Sequence, residues 1–416
     1  MASLPSPLLA APAPPSLIIH LDLNKTVLMS DPAASADSSA LLSSVLASCA
    51  YGSVSPRGWI LSEPRLLPRP PSASAISYFS YVREVLHPYA PAGSSPDAAA
   101  RNDAAKAAVR ALLSAFTSPG SPGAAFAPTL AELLARLALP PGAAVARGAA
   151  SGLSGLARGE VFLLPAYFRL LRHLRCEQAA PWLLVLRTFG ADLPAVVAEH
   201  NAWAAGAHPL QAASAGDSAL RIDAADVAVV ERDSTDADDA RLLRTGAPPC
   251  RGVLAIHAVL AGLVPAPAAA MAAATERETP GRVIAWRDAH WRLWFDHGER
   301  AAAGKLVPIA PGESVFVFDD NIGGEADTLR LLAETHVAGL PIATNADAAD
   351  SGEAKGDAGI IDARDARNGS PIAYAHTRNV HLARVCPLSA ILNEDYLVEL
   401  LRVCQGNLAA QSSASK

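Results

Sequence analysis

Clustered positive charge is missing from this sequence. Only five of the 416 residues are lysine, and arginine supplies the remaining positive charge without forming a basic run. The formal net charge is −6 at pH 7. Proteins that bind nucleic acid neutralise its phosphates with grouped lysine and arginine, often interleaved with aromatic side chains. We therefore expect no nucleic acid among the partners of this protein.

Paired cysteines are missing as well. No two of the five cysteines stand at the CxxC spacing that is typical of a zinc or redox site. They are Cys49, Cys176, Cys250, Cys386 and Cys404. An odd, scattered set of cysteines in a chain of this length indicates reduced thiols and argues against a disulfide framework. The sequence therefore favours a reducing compartment.

Long hydrophobic runs are also absent. No stretch of about 18 apolar residues is free of proline, glycine and charge, so the sequence predicts no membrane-spanning helix. Residues 1–16 lack the basic start and the continuous apolar run of a signal peptide. We expect a cytoplasmic protein with no membrane partner.

The sequence does contain ample material for a hydrophobic core, since 51% of its residues are hydrophobic. Three short apolar runs, at residues 16–22, 182–188 and 314–320, have the length and composition of buried strands. Residues 336–343 are a fourth candidate, and residues 166–175 have a helical period. Strands that alternate with helices predict an α/β fold with a Rossmann-like, three-layer parallel sheet.

The chain is too long for one ordinary core. We predict a core formed by residues 16–30 and 159–405, with the first strand in the middle of its sheet. Residues 31–158 are predicted to form an inserted, mostly helical cap, with helices near 97–117 and 128–138. The core is predicted to carry an elaboration at about 205–285, in which residues 213–248 are acidic and irregular. A polar loop is predicted at 345–370, a flexible start at 1–15 and a flexible tail at 406–416.

The first predicted strand ends at Asp22, and Asn24 and Thr26 follow it in a short turn. In parallel sheets the chemistry lies at the carboxyl ends of the strands. A carboxylate that leaves a buried strand at this edge can act as a covalent nucleophile towards phosphorus. The alternative is that aspartate and asparagine only form the turn that closes the strand.

The second and third strands also end in polar residues. The hydroxyl of Thr188, with the amides of Phe189 and Gly190, could hold a phosphoryl oxygen, although threonine is also common at strand ends. Asp319 and Asp320 follow the third strand directly. Two adjacent carboxylates repel each other unless a cation lies between them, and oxygen ligands suit Mg²⁺. Alternatively, the two aspartates belong to a solvated helix N-terminus.

The order and context of these motifs resemble those of the haloacid dehalogenase superfamily, of which this chain would be a divergent, capped member. Asp22 with Thr26 resembles the first motif of the family, Asp-x-Asp-x-Thr. Thr188 resembles the second motif, and Asp319 with Asp320 resembles the fourth. The resemblance implies a Rossmann-like core, a Mg²⁺ cofactor and an aspartyl-phosphate intermediate on the first aspartate.

The third motif of the family is a lysine. Lys305 is the only lysine between Thr188 and Asp319, but it stands so close to Asp319 that little room is left for the usual intervening helix. Arg287 and Arg300 are the alternatives. A guanidinium is not equivalent to the point charge of an ammonium group, so we favour Lys305.

The chain departs from the family at position 24. The phosphatases of the family carry an aspartate there, which protonates the leaving group and then activates water, whereas this chain has Asn24. An amide can do neither, and losing a general acid/base typically slows a reaction by about 10² to 10⁴. The backbone carbonyl of Asn24 can still bind Mg²⁺, together with Asp22, Asp319 and Asp320.

Three interpretations follow from this departure. The first is a slow phosphatase or phosphotransferase that acts on a phosphorylated small molecule or a phosphoprotein, with a proton supplied by substrate, water, His20, His208 or Asp31. The second is a weakened relative that binds a phosphorylated ligand or a protein partner. The third is C–Cl or C–P cleavage on the same scaffold. We favour the first and keep the second as its main alternative.

Overall fold

The computed structural model of the chain describes the secondary structure around all three predicted strand ends. The residues that it describes are 16–29, 37–67, 70–90, 97–140, 143, 156, 159–214, 216–266, 279–310, 313–322, 361–367, 370–372, 377 and 380–414. The described strands are β1 (Leu17–Asp22), β2 (Ala50–Ser55), β3 (Gly58–Leu66), β4 (Ile76–Ser77), β5 (Trp182–Thr188), β6 (Val227–Glu231), β7 (Arg241–Arg244), β8 (Cys250–Arg251), β9 (Gly281–Asp288), β10 (Lys305–Ile309), β11 (Ser314–Asp319), β12 (Ile361–Asp365) and β13 (Leu382–Arg384).

The described helices surround these strands in a mixed α/β arrangement. They are α1 (Ser38–Cys49), α2 (Tyr78–Ser80, continued by a π-helical segment at Tyr81–Leu86), α3 (Ala98–Ser114), α4 (Ala127–Leu137), α5 (Pro165–Cys176), α6 (Leu193–Ala204), α7 (Val253–Leu263), α8 (Trp291–Asp296), α9 (Pro387–Leu392) and α10 (Tyr396–Ala414). Short 3₁₀ turns occur at Ala124–Phe126, Asp217–Leu220, Ala224–Asp226, Ala237–Asp239 and Ala301–Ala303.

The main sheet places β1 at its centre. Among the described residues its strand order is β13-β11-β1-β5-β9-β6-β7-β8, and all neighbours from β13 to β6 are parallel. β7 and β8 continue the sheet in antiparallel fashion. The prediction of three adjacent parallel strands with the Asp22 strand in the middle is therefore confirmed.

The central strands are buried on both faces, as parallel strands covered by helices require. Because side chains alternate along a strand, Ile19 and Leu21 join the larger core cluster on one face, while Ile18 joins the smaller cluster on the other. Asp22 continues the alternation on the face of Ile18. Its register partner on β5 is Arg187, so the two side chains share that face.

Residues 38–137 form α1, α3 and α4 together with a three-stranded antiparallel sheet of order β3-β2-β4. Helices α3 and α4 lie close to their predicted positions, but α1 and the small sheet were not predicted. Trp59 on β3 belongs to an aromatic group in which the ring of Tyr78 lies 5.1 Å from Trp59 and 4.8 Å from Phe116. These side chains belong to the same core cluster as one face of the main sheet, so the region packs onto that face.

Two predictions of irregular structure were wrong. The acidic stretch 213–248 contains β6 and β7, and β6 extends the main sheet beside β9. The predicted polar loop 345–370 contains β12, which pairs with β10 in a separate two-stranded parallel sheet. Charged residues flank the hydrophobic pair of β7 and interrupt β12, which hides the pattern on which strand prediction depends.

The helix α10 continues through Ala414, so residues 406–414 of the predicted flexible tail are helical, and residues 415–416 lie outside the described residues. Its first turns are fixed by the buried side chains of Tyr396, Leu397 and Leu401, and no proline follows to stop the helix. The fourth predicted strand, 336–343, and the predicted start at 1–15 lie outside the described residues. No helix in the described part of the chain is long and apolar enough to cross a membrane.

Candidate functional site

Asp22 is the last residue of β1 and is buried at the carboxyl end of that strand. The chain then turns sharply, and the amide of Val27 donates to the carbonyl of Leu23 at 2.9 Å. The turn brings back Thr26, whose hydroxyl donates to Asp22 Oδ2 at 3.3 Å. Lys25 in this turn has a φ of 60°, which is costly for a residue other than glycine. The turn therefore holds the Thr26 hydroxyl against the Asp22 carboxylate.

Three carboxylates meet at this edge of the sheet. Single oxygen atoms of Asp22, Asp319 and Asp320 all lie within 4.8 Å of one another, and all three residues are buried. Lys305 bridges two of them, since its Nζ donates to Asp22 Oδ1 and, at 2.7 Å, to Asp319 Oδ2. Lys25 Nζ lies 3.3 Å from Asp320 Oδ2. The sequence placed the carboxylates correctly at one edge of the sheet.

Burial and mutual repulsion shift the acidity of this cluster. Burial, followed by the charge of Asp319, raises the pKa of Asp22 well above its usual range, although Lys305 opposes the shift. Burial also raises the pKa of Asp320. For Lys305, burial alone would lower the pKa, but the charges of Asp22 and Asp319 outweigh it and the pKa is raised. The buried carboxylates thus carry more negative charge than their surroundings readily stabilise.

This arrangement has the donor set of a cation site. Carboxylate oxygens are hard ligands, and the three aspartates converge from two neighbouring strand ends. Asn321 orients two of them, because its backbone amide donates to Asp319 Oδ1 at 2.9 Å and its side-chain amide to Asp320 Oδ1 at 2.8 Å. A bound cation would relieve the repulsion that raises the pKa of Asp22.

The Thr188 loop lies beside this acidic cluster. The Thr188 hydroxyl donates to Asn24 Oδ1 at 3.1 Å and accepts from the amide of Gly190 at 2.8 Å. Asn24 Nδ2 in turn donates to Asp192 Oδ2 at 3.1 Å. Position 24 is therefore held between the Thr188 loop and a carboxylate.

Side chains crowd the α-carbon of Gly190. A Cβ atom there would lie 2.5 Å from Asp192 Oδ2 and 3.2 Å from Thr188 Oγ1. The first distance is shorter than real contacts allow, so a larger residue would push the carboxylate away from Asn24. The ring of Phe189 points towards the acidic cluster, with Lys305 Nζ 5.4 Å from its centroid.

Lys305 reaches the cluster from β10 and not from a helix. This explains how it can stand so close to Asp319 in sequence and still contact Asp22. The two alternatives for the third motif do not fit, because Arg287 and Arg300 are both exposed. Arg287 lies on β9, and Arg300 precedes the 3₁₀ turn at Ala301–Ala303.

The residues considered as replacement proton donors are His20, His208 and Asp31. His20 is buried within β1, and neither of its ring nitrogens has a hydrogen-bond partner among the described residues. His208 is buried, and its Nε2 lies 3.2 Å from Glu199 Oε1. Asp31 lies outside the described residues. Burial, followed by the charges of Arg187 and Lys305, lowers the pKa of His20 well below its usual range.

Three residues of the site were missed by the sequence reasoning. Lys25 pairs with Asp320, Asp192 accepts from Asn24, and Arg384 Nε donates to the carbonyl of Asp320 at 3.0 Å. Lys25 lies inside the first motif, so its charge could have been noticed. Asp192 follows closely after Thr188, but Arg384 lies on β13 and no local signal points to it.

A scan against protein-family models found no match for this chain, and searches of curated proteins and of solved structures also found none.

Proposed function

We propose that the protein is a Mg²⁺-dependent phosphatase or phosphotransferase of the haloacid dehalogenase type, acting through an aspartyl-phosphate on Asp22. The observation that carries this proposal is the convergence of Asp22, Lys305, Asp319 and Asp320 at the carboxyl edge of the sheet. The Thr188 loop lies next to them. A nucleophilic carboxylate, an ammonium group, an acidic cation site and a hydroxyl donor are the parts that such a reaction needs.

The proposed reaction has two steps. An oxygen of the Asp22 carboxylate attacks phosphorus, an acyl-phosphate bond forms and the bond from phosphorus to the leaving oxygen breaks. Water, or a second acceptor hydroxyl, then attacks phosphorus, its proton passes to solvent water, and the bond from phosphorus to the Asp22 oxygen breaks to release the carboxylate. Lys305 neutralises charge on Asp22, and the Thr188 hydroxyl is positioned to donate to a phosphoryl oxygen once it leaves Asn24.

Mg²⁺ would be held by Asp22, the backbone carbonyl of Asn24 and Asp319 or Asp320, where it would neutralise charge on the transferred phosphoryl group. The slow step is expected to be the release of phosphate, because Asn24 cannot take a proton from water. Phosphorylated small molecules or phosphoproteins are the substrates that this chemistry suits, and the sequence favours a cytoplasmic setting.

A binding protein is the second candidate. The observation in its favour is that the Thr188 hydroxyl and the Gly190 amide are already engaged within the Asn24 network. Such a protein would hold a phosphorylated ligand or partner at the same edge without forming a covalent adduct.

Acetyl phosphate distinguishes these two candidates. With Mg²⁺ present, intact-mass analysis should show a phospho-adduct on the wild type and none on Asp22→Ala. Asp226→Ala is a matched control, since Asp226 and Asp22 are both 7% exposed and Asp226 pairs with Arg282 away from the cluster. Asp320→Asn should form the adduct only at higher Mg²⁺ concentration. A wild type without adduct, or an equal adduct on Asp22→Ala, would overturn the enzyme proposal and favour the binding protein.

A further inference from the structure

The placement of Lys305 needs an explanation that the main sheet does not supply. Within the described part of the chain, β10 pairs with β12 and not with any strand of the eight-stranded sheet. Strand register positions Asp22 and Asp319 against each other, but it cannot position a residue on a separate two-stranded sheet. Something else must hold the start of β10 so that the Lys305 ammonium lies between the two carboxylates.

Side chains from β5 and from the segment after β6 hold the backbone on both sides of Lys305. Arg187 Nη1 donates to the carbonyl of Leu306 at 2.7 Å. Arg232 donates to the carbonyls of Gly304 and Ala302 at 2.9 and 3.0 Å. The carbonyls immediately before and after Lys305 are therefore both bound by buried guanidinium groups.

His290 adds a further contact, because its Nε2 lies 3.0 Å from the Gly304 carbonyl. The two guanidinium groups are themselves fixed by carboxylates. Arg187 is paired with Asp288 through two hydrogen bonds, one of them 3.0 Å long, and Arg232 lies 3.1 Å from Asp362. All of these charged side chains are buried.

Burying two arginine–aspartate pairs is expensive in desolvation free energy, and such pairs are weak evidence for stability alone. Here each guanidinium gives part of its donor set to the backbone that carries Lys305. The rigid fork of arginine suits this dual role, since it can bind a carboxylate and a carbonyl at once. We infer that Arg187 and Arg232 are positioning residues that hold Lys305 between Asp22 and Asp319, an inference that rests on the proposed function of this cluster.

The chain offers a simple test because it has only five lysines. Lys305 is 2% exposed, so it should react slowly with an amine-acylating reagent. In Arg187→Lys and Arg232→Lys, peptide mapping should show that Lys305 reacts about tenfold faster or more, since one lost charged hydrogen bond is worth about 1.5–3 kcal/mol. The rate of adduct formation on Asp22 should fall in parallel.

Arg175→Lys is the matched control. Arg175 lies on α5 and also forms a buried pair with an aspartate, Asp217. This variant adds one lysine, as the other two do. Urea unfolding of all three variants shows whether the control is destabilised as much as the test variants. Labelling of Lys305 should stay within about twofold of the wild type, because a general loss of stability does not move β10 specifically.

If both arginine variants fail to fold, His290→Leu removes a single donor to Gly304 and should still raise Lys305 labelling by about threefold, the effect expected of one weaker hydrogen bond. The inference is overturned if Lys305 labelling is unchanged in the folded variants, or if Arg175→Lys raises it equally. The labelling rate does not depend on turnover. A protein that forms no phospho-adduct but shows the labelling difference would therefore refute the proposed function and not the positioning role.

Discussion

Two buried ionic sites in this molecule differ in their net charge. Arg175 on α5 pairs with Asp217, and both side chains are buried. At the carboxyl edge of the sheet, Lys305 faces Asp22 and Asp319, with the carboxylate of Asp320 nearby. The first site joins Arg175 to Asp217, whereas the second places three carboxylates around the fully buried ammonium group of Lys305, with Lys25 beside Asp320.

The difference indicates which of the two sites serves chemistry. A pair of opposite charges needs nothing further, and its free energy depends on the protein alone. A cluster with surplus negative charge has carboxyl groups of raised pKa, as Asp22 shows, and is relieved by a cation. We therefore expect the Asp22 cluster to respond to Mg²⁺ and the Arg175 pair to be indifferent to it.

The largest expected effect comes from removing the cation at each site. Lys305→Met and Arg175→Met should each lower the free energy of unfolding by about 3–5 kcal/mol, because each leaves a buried carboxylate unpaired. Saturating Mg²⁺ should restore about 2–3 kcal/mol to Lys305→Met, as expected when the ion is present at about 100 times its dissociation constant. Urea unfolding with and without Mg²⁺ measures both effects.

Arg175→Met serves as the control in this pair of experiments, since Mg²⁺ should not restore its stability. Equal restoration in both variants would show a general effect of the salt. If neither variant responds, the acidic cluster does not bind Mg²⁺ strongly enough to matter, and the contrast between the two sites disappears.

The position of the acidic cluster could be predicted from the sequence. Asp22, Thr188 and Asp319 each follow an apolar run, and parallel strands bring such ends to one edge. The partners of Lys305 could not be predicted in this way. Arg187 and Arg232 lie 119 and 72 residues before the carbonyls that they bind, and no periodic pattern links positions so far apart.

The next prediction concerns position 24. Asn24→Asp alone would place two carboxylates about where Asn24 Nδ2 and Asp192 Oδ2 now lie 3.1 Å apart, and they would repel each other. Asn24→Asp combined with Asp192→Asn keeps a carboxylate–amide hydrogen bond with its direction reversed. The double variant should break down the Asp22 adduct about tenfold faster than wild type, the low side of general-base effects.

Asp192→Asn alone is the control for this exchange, because it changes the neighbour without adding a carboxylate at position 24. Pulse–chase measurement of the adduct gives each breakdown rate directly. A double variant no faster than wild type would mean that the missing aspartate does not limit the second step. Asp192 also shows why sequence reasoning about position 24 was incomplete, since the hydrogen bond that fixes Asn24 comes from the loop after another strand.

The smallest expected effect concerns the pH dependence of stability in the region of the Arg175–Asp217 pair. His200 on α6 lies 2.8 Å from the Tyr167 hydroxyl and 2.7 Å from the carbonyl of Leu220, in the 3₁₀ turn that begins at Asp217. Burial lowers the pKa of His200 from 6.5 to about 4, although the bond to Leu220 and the charge of Asp217 oppose the shift. Acid should therefore act on this region through His200.

The sign of the pH effect follows from proton binding in the two states. Between pH 6.5 and about 4 the unfolded chain binds a proton at His200 and the folded chain does not, so stability falls as pH falls. Asp22 acts in the opposite direction, since its raised pKa lets the folded state bind a proton first.

From about pH 7 to about pH 5.5, His200 should cost the wild type about 1 kcal/mol of stability that His200→Gln does not lose. Asp22→Asn lacks the stabilisation that proton binding at Asp22 gives the wild type, so it should lose stability more steeply as the pH falls. Urea unfolding at the two pH values tests both signs, and an equal pH response in all three proteins would contradict the assignment of opposite roles to these buried groups.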